Sequence, residues 1–366
     1  MNTEVGLTNV SLEDICREQG QPYYQLAAPK NIRRQVKSLK GVTEEPYITA
    51  PMYCGRVNNV VVFGKSYVCD TPGRAVFYHQ SHRNYAPEDF VQYYTSEIAN
   101  GGPHPSVKDE CCFLGGFSGD TKFFGHFIFE YLYRLAAFDK CGLLAALPLA
   151  VYDTIPDGWL SFIELYGVPK ERFIKVPQLP APGFVKAWIA SCPNSLSPNL
   201  GYTYWDEGIL NVRQRLIENA GATVPTGPKR IYLGRRTAKH RKLVNEDAVW
   251  QYLSGLGFEY PEFENLSAAE QIRLVSGAEI VVIVPGSGSC ITNFAPADCI
   301  ILEFLPPHLV GGLGPRGFST VIGQTYERVA SRIAEGTGAA GLTNDLEVEL
   351  PAVIAAVERA IELKTR

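Results

Sequence analysis

From Cys111 onward the chain alternates short apolar runs with stretches of helical spacing, and this alternation restricts it to α/β layering around mainly parallel sheets. CCFLGG reads as a buried strand, and TKFFGHFIFEYLYRLAAFDKCG carries apolar residues at helical spacing until Gly142 stops it. LPLAVY, RFIKV and FVKAWIA read as strands; DGWLSFIELYG and WDEGILNVRQRLIENAG read as helices. TVPTGPK, residues 223–229, is rich in Pro, Gly and Thr and predicts a linker. A second, more regular series follows it. RIYLG, EIVVIV and CIILEFL are its strands, NEDAVWQYLSGLG and SAAEQIRLVSG its helices, and SGSCITNFAPAD a loop with a short helix. Two such units joined by a hinge are expected to face a cleft, with ligands at the carboxyl ends of the strands.

The flanks carry weaker signals. The first 45 residues show little periodicity and specify no fold, whereas NVVVFG, SYVCD and RAVFYH predict a small antiparallel meander from Asn59. LEVELPAVIAAVERAIELKTR predicts an amphipathic helix that packs back on one of the units. The expected division is therefore 1–105 for an N-terminal extension and meander, 106–222 and 229–335 for two α/β domains, and 343–366 for the terminal helix. A length of 366 residues suits two domains.

Charge and cysteine usage exclude several classes. The 34 Lys and Arg against 38 Asp and Glu leave a net charge of −4, so there is no global electrostatic case for nucleic acid. No apolar run approaches the ~20 residues of a membrane span, and the N-terminal stretch lacks the basic start and apolar centre of a secretory signal. A cytoplasmic location is expected, with peripheral contact at the inner face of the membrane allowed. The nine cysteines are odd in number and include no C-x-x-C pair, which predicts reduced, buried thiols, with Cys111 and Cys112 in a core strand. His79 and His82 have no third ligand nearby in sequence and read as surface, so no metal site is expected.

Four places could carry chemistry. KRIYLGRRTAKHRK, residues 229–242, holds seven cations and no acid; a strand that ends in such a loop presents guanidinium groups at the mouth of the sheet, where Arg235 and Arg241 can clamp a phosphate. The alternative is a solvated basic loop. EIVVIVPGSGSCITNF runs a buried strand into Gly286, Ser287, Gly288 and Ser289, where the backbone can approach an anion and a helix start offers free amides, although a tight turn explains the same residues. Its spacing matches neither the dinucleotide fingerprint nor a Walker loop. His126, Glu130 and Arg134 lie four residues apart on an otherwise apolar helix, as an acid–base group or as a satisfied structural network. Glu303, at the end of an apolar strand, is placed to accept hydrogen bonds from a ribose or sugar hydroxyl. In SAAE, residues 267–270, Glu270 completes a capping box.

Taken in order, these segments resemble glycosyltransferase family 61, which includes bacterial polysaccharide-biosynthesis and capsule enzymes. The matching residues are Gly125, His126, Glu130 and Arg134; then Arg235, Arg241, Asn245 and Glu246; then Glu270, Gln271, Gly286, Gly288, Thr292, Asn293 and Glu303. The resemblance runs from about Phe124 to Pro306. One departure is that Pro285 stands where the family pattern H-G-A-G-L-T-N has His, and the stretch before Thr292 and Asn293 is longer.

The resemblance implies a GT-B-like pair of Rossmann-like α/β domains, with 106–222 on the acceptor side and 229–335 holding a nucleotide-sugar donor. It implies an inverting, metal-independent transfer from a nucleotide diphosphate sugar, taken as uridine-linked, to a glycan or glycolipid, with no resident cofactor. Arg235, Arg241, Gly286, Ser287, Gly288, Ser289, Asn293 and Glu303 would bind the donor, and Arg134, Asn245, Glu246 and Glu270 would support the site. His126 is the first candidate for the base, with Glu130 second or orienting it. A nucleotide-sugar epimerase on a similar fold and a non-catalytic sugar-nucleotide-binding protein are the rival readings. The oligomeric state is left open by the sequence.

Overall fold

The computed structural model describes residues 8–63, 67–70, 74–76, 105–115, 123–178, 182–197, 201–306, 315–335 and 343–366. His79 and His82 lie outside the described residues. The chain separates into two compact units, each with its own sheet.

The first unit comprises residues 1–30, 48–199 and 203–212. Its sheet is mixed. Strands Cys111–Leu114, Leu149–Tyr152 and Phe173–Val176 run parallel, and Gly183–Ala190 runs parallel to Cys111–Leu114 on its other side. The helix Asp157–Tyr166 sits between two of these strands in sequence and ends at Gly167, which takes a left-handed conformation. The expected meander is present as antiparallel strands Met52–Phe63, Tyr67–Asp70 and Arg74–Val76. It is not set apart from residues 106–222, however, because Met52–Phe63 pairs antiparallel along Gly183–Ala190 over most of its length. The apolar strand FVKAWIA needs a neighbour on each edge, and local periodicity does not say which segment supplies it.

The second unit comprises residues 31–47, 200–202 and 213–366. Its strands run in the order Arg230–Leu233, Ile280–Ile283, Ile300–Leu305, Thr325–Ile333, Asn31–Ser38 and Gly41–Ile48, the first five parallel. The N-terminal hairpin, silent in the sequence, thus extends this sheet. Tyr232, Val282, Leu302 and Phe304 from the strands meet Val249 and Leu253 from the helix Glu246–Gly255. The tail helix Leu350–Thr365 adds Val353, Val357 and Ala360 to the same core, an i, i+4, i+7 stripe as its pattern predicts.

The expected linker behaves otherwise. The division between units falls after Val212, inside the helix Asp206–Asn219, and within residues 223–229 the backbone at Gly227 is packed closely although residues 223–226 and 229 are exposed. A Cβ on Gly227 would stand 1.8 Å from the Leu274 carbonyl oxygen, and one on Gly277 2.4 Å from the Gly227 carbonyl oxygen. Lys229 O accepts Glu279 N–H at 2.7 Å, and Arg273 Nη1 donates to Ala220 O at 2.8 Å. Glycine here permits close backbone approach rather than motion.

Val357→Asp should lower the second unit's unfolding free energy by about 3 to 5 kcal/mol, the cost of an uncompensated buried charge. Ala355→Asp, on the exposed face of the same helix, should be nearly neutral by chemical denaturation.

Candidate functional site

In the second unit Leu233, Ile283 and Glu303 stand at one level of the parallel sheet. The chain leaves the first two strands there as Gly234-Arg235 and Pro285-Gly286. The turn at Gly234 is fixed by Glu246, whose buried Oε1 accepts Tyr232 OH at 3.1 Å, Tyr260 OH at 2.9 Å and Arg235 N–H at 3.1 Å. Tyr260 OH in turn accepts Arg236 N–H at 3.2 Å. A Cβ at position 234 would lie 2.0 Å from Glu246 Oε1 and 2.3 Å from Tyr260 OH, so only glycine admits this network.

Arg235 is held by its own loop, Nε and Nη2 donating to His240 O at 3.2 and 2.9 Å. Its Nη1 lies over Gly286, where an added Cβ would stand 1.8 Å away. Gly286 has an extended backbone, so its role is the space it leaves. Arg241 follows with φ 56°, an unusual left-handed conformation for a residue with a side chain, held by Arg241 N–H donating to Thr343 O at 3.3 Å. Its Nε is buried with no hydrogen-bond partner among the described residues. Burial lowers the proton affinity of both arginines. Arg235 falls to about 10, with the like charge of Arg241 the second cause, while Glu303 partly offsets the effect at Arg241.

Glu303 departs from its expected place. The strand continues to Leu305, and Glu303 is buried inside it with Oε2 accepting Tyr326 OH at 2.6 Å. Burial raises its pKa to about 7 against the opposing pull of Tyr326 and Arg241. Its carboxyl is committed to those two neighbours, so it serves as a counter-charge to Arg241.

The other cations of residues 229–242 mostly turn outward. Lys229 pairs with Glu279 at 2.7 Å, Arg236 with Asp247 at 2.9 Å, and Arg230 Nη1 donates to Leu256 O at 2.5 Å. Only Arg235 and Arg241 come together. Asn245 bridges Val348, Nδ2 donating to its carbonyl at 2.7 Å and Oδ1 accepting its N–H at 3.3 Å. Glu270 and Ser267 form the expected capping box. After Gly286 the residues Ser287–Phe294 form a 3₁₀ helix, in which Ser289 Oγ donates to Gly286 O at 2.6 Å and Asn293 O accepts Arg213 Nε at 2.8 Å. Ser287 is half-buried and Gly288 exposed, at the open side of the turn. Tyr232, Tyr260 and Tyr326 were not singled out by the sequence. Each looks like a core aromatic until its hydroxyl is seen to reach a buried carboxylate.

In the first unit the helix bearing His126 is irregular. It is α-helical over Phe124–His126, widens to a π turn over Phe127–Tyr131, tightens to 3₁₀ over Leu132–Arg134 and resumes as Leu135–Lys140. Such interruptions often mark functional positions. His126 Nδ1 and Glu130 Oε1 stand 2.6 Å apart, with the His126 side chain 30% exposed and that of Glu130 4%. With Glu130 as the acceptor, the contact assigns the Nδ1–H tautomer to a neutral His126 ring, whose lone pair is then on Nε2. Arg134 is buried, and its Nε donates to Ser191 O at 3.2 Å, which anchors the helix. Among the described residues no group of three or more His, Cys, Asp or Glu is placed to hold a metal ion, and no helix is long and apolar enough to cross a membrane. Cys16, Cys54, Cys111, Cys112, Cys141, Cys192, Cys290 and Cys299 are free thiols, all buried but Cys141.

Glu303→Gln tests the counter-charge directly. A carboxyl whose proton is held more tightly in the folded chain stabilises fully below about pH 4.5, its ordinary value, and that contribution is lost as pH rises through about 7. The denaturation midpoint of the parent protein should therefore fall over this window, and that of Glu303→Gln should fall less.

Against known proteins, the family model described as Glycosyltransferase 61 matches residues 124–302. The match begins two residues before His126 and ends one residue before Glu303. No curated protein matches the chain. The chain carries a glycosyltransferase 61 domain, and the protein is a glycosyltransferase.

Proposed function

We propose that this glycosyltransferase 61 domain moves a sugar from a nucleotide diphosphate donor to a hydroxyl of a glycan or glycosylated acceptor, with inversion and without an obligatory metal. The observation that carries the reading is the pairing of Arg235, whose Nη1 lies over Gly286, with Arg241, close enough to lower its proton affinity. These two guanidinium groups, the second with an unpartnered buried Nε, form a cationic site beyond the carboxyl end of a strand in a parallel sheet. A diphosphate supplies the missing negative charge and acceptor oxygens.

In this reading the donor's diphosphate lies against Arg235, Arg241 and the residues Gly286 to Ser289. The acceptor oxygen attacks the anomeric carbon as the bond from that carbon to the diphosphate oxygen breaks. The acceptor's proton passes to His126 Nε2, and the leaving diphosphate takes the electron pair under the two arginines. Glu130 holds Nδ1–H and stabilises the imidazolium that forms, as a carboxylate does in other histidine-based pairs. The GT-B type of two-domain arrangement, a uridine-linked donor, a role in polysaccharide or capsule biosynthesis and a cytoplasmic setting belong to the same proposal. The first three are supported by the order of motifs in the sequence.

Arg241→Ala should weaken binding of uridine diphosphate by about 10- to 100-fold, the range of a lost charge-assisted contact, with little change in melting temperature. An equal loss of stability would assign Arg241 to the fold. His126→Ala should reduce turnover by about 10²- to 10⁴-fold while diphosphate affinity stays near the parent value. Turnover that survives would place the base elsewhere.

A further inference from the structure

One face of the first unit's sheet, buried at Cys54, Ala190 and Trp188 but open at Tyr24, carries an arrangement that the donor and acid–base residues do not use. On strand Met52–Phe63, Arg56 is directly opposite Trp188, and Cys54 is opposite both Ala190 and Tyr24. Directly opposed residues share a face, so Tyr24, Arg56 and Trp188 lie on the same side. The Tyr24 and Trp188 rings stack, with centroids 6.0 Å apart and planes 15° apart. Trp188 is buried, but Tyr24 is 45% exposed.

Beside the rings runs a row of planar polar groups. Trp188 Nε1 donates to Glu110 Oε1 at 2.7 Å. Arg56 Nη1 donates to Glu110 Oε1 and Oε2 at 3.1 and 3.3 Å, and Arg56 Nε donates to Gln21 Oε1 at 2.6 Å. Burial would raise the Glu110 carboxyl, yet the hydrogen bonds from Trp188 and Arg56 outweigh it and hold the group ionised. The Arg56 and Glu110 side chains remain 25% and 26% exposed. Arg56 Nη2 has no hydrogen-bond partner among the described residues. Glu110 satisfies the indole N–H of the buried Trp188, and the Arg56 guanidinium lies 5.8 Å from the Trp188 ring centroid; neither contact uses Arg56 Nη2, which is left beside a ring, Tyr24, that reaches solvent.

We propose that Tyr24, Trp188, Arg56 and Glu110 form a subsite for a neutral pyranose unit of a glycan. A pyranose presents a face of C–H groups, weakly positive, and a rim of hydroxyls that both donate and accept. The negative face of an exposed aromatic ring receives the first. The second needs a fixed acceptor and a fixed donor side by side, which Glu110 and Arg56 Nη2 supply. The two charges cancel, so the subsite favours a neutral sugar over a phosphate or a nucleotide. The choice of ligand class rests on the glycosyltransferase assignment, in which the sugar bound here belongs to the acceptor chain.

The test uses the full chain and neutral hexasaccharides of glucose, xylose, mannose and N-acetylglucosamine as probes. The ¹H–¹⁵N indole signal of Trp188, whose proton is held by Glu110, reports occupancy. At least one probe should shift that signal at millimolar concentration. Tyr24→Ala should weaken the response by about tenfold, Tyr24→Phe should retain it, and Glu110→Gln should weaken it while the fold persists. A parallel titration with uridine diphosphate should be the same in all these variants. The proposal is overturned if none of the probes moves the Trp188 signal, or if Tyr24→Ala responds as the parent does. A failure of uridine diphosphate to bind would instead count against the donor site, and the Trp188 result would still stand by itself.

Discussion

Like charge held at close range is the constraint on which the second unit's site depends. Arg235 loses proton affinity first to burial and then to Arg241, and nothing in the loop relieves that repulsion fully. Several otherwise unrelated features exist to maintain it. Gly234 admits Glu246 and Tyr260 beneath the turn, Gly286 leaves the space that Arg235 fills, and Arg241 adopts a left-handed backbone. Glu303 provides one buried counter-charge, but its own carboxyl is raised toward neutrality. The result is a site short of negative charge, and preorganised cations of this kind stabilise a leaving diphosphate without reorganising during the reaction.

The first unit solves a different problem. His126 needs a fixed tautomer, and a buried carboxylate four residues along the same helix supplies it at 2.6 Å. The widened π turn between them moves the helix off regular geometry over Phe127–Tyr131, while Arg134 ties the following turn to Ser191. The first unit's buried Glu130 and Arg134 thus have named partners, the condition for burying charge at all, whereas the second unit leaves the buried Arg241 Nε without one.

Elements defined by local pattern were legible in the sequence. The strands at CCFL, LAVY, FIKV, FVKAWIA, RIYL, IVVI and IILEFL, the tail helix and the Ser267–Glu270 capping box follow from periodicity and cap chemistry. Pairing was not legible, because it depends on distant segments. Residues 31–38 add to the sheet beside Thr325–Ile333, and Met52–Phe63 joins Gly183–Ala190. At Gly286 the space expected for an anion is occupied by the Arg235 side chain, and at Gly227 close backbone packing stands where a linker was expected, since composition does not distinguish flexibility from tight packing. Within the basic run only the fold separates Arg235 and Arg241 from Lys229 and Arg236, whose partners Glu279 and Asp247 lie elsewhere in the chain. Glu303 was expected at a strand end facing a sugar hydroxyl, whereas it lies within the strand against Tyr326 of the neighbouring strand, a partner distant in sequence.

The most direct test of the paired-arginine site is calorimetric titration of the full chain with uridine, uridine monophosphate and uridine diphosphate in the presence of a chelator. The account predicts that affinity rises with each phosphate, with the diphosphate binding at least about tenfold more tightly than the monophosphate. It also predicts that this gain weakens as salt is added, because the contact is electrostatic. A diphosphate that binds no better than the monophosphate, or that binds only when a divalent cation is restored, would contradict it.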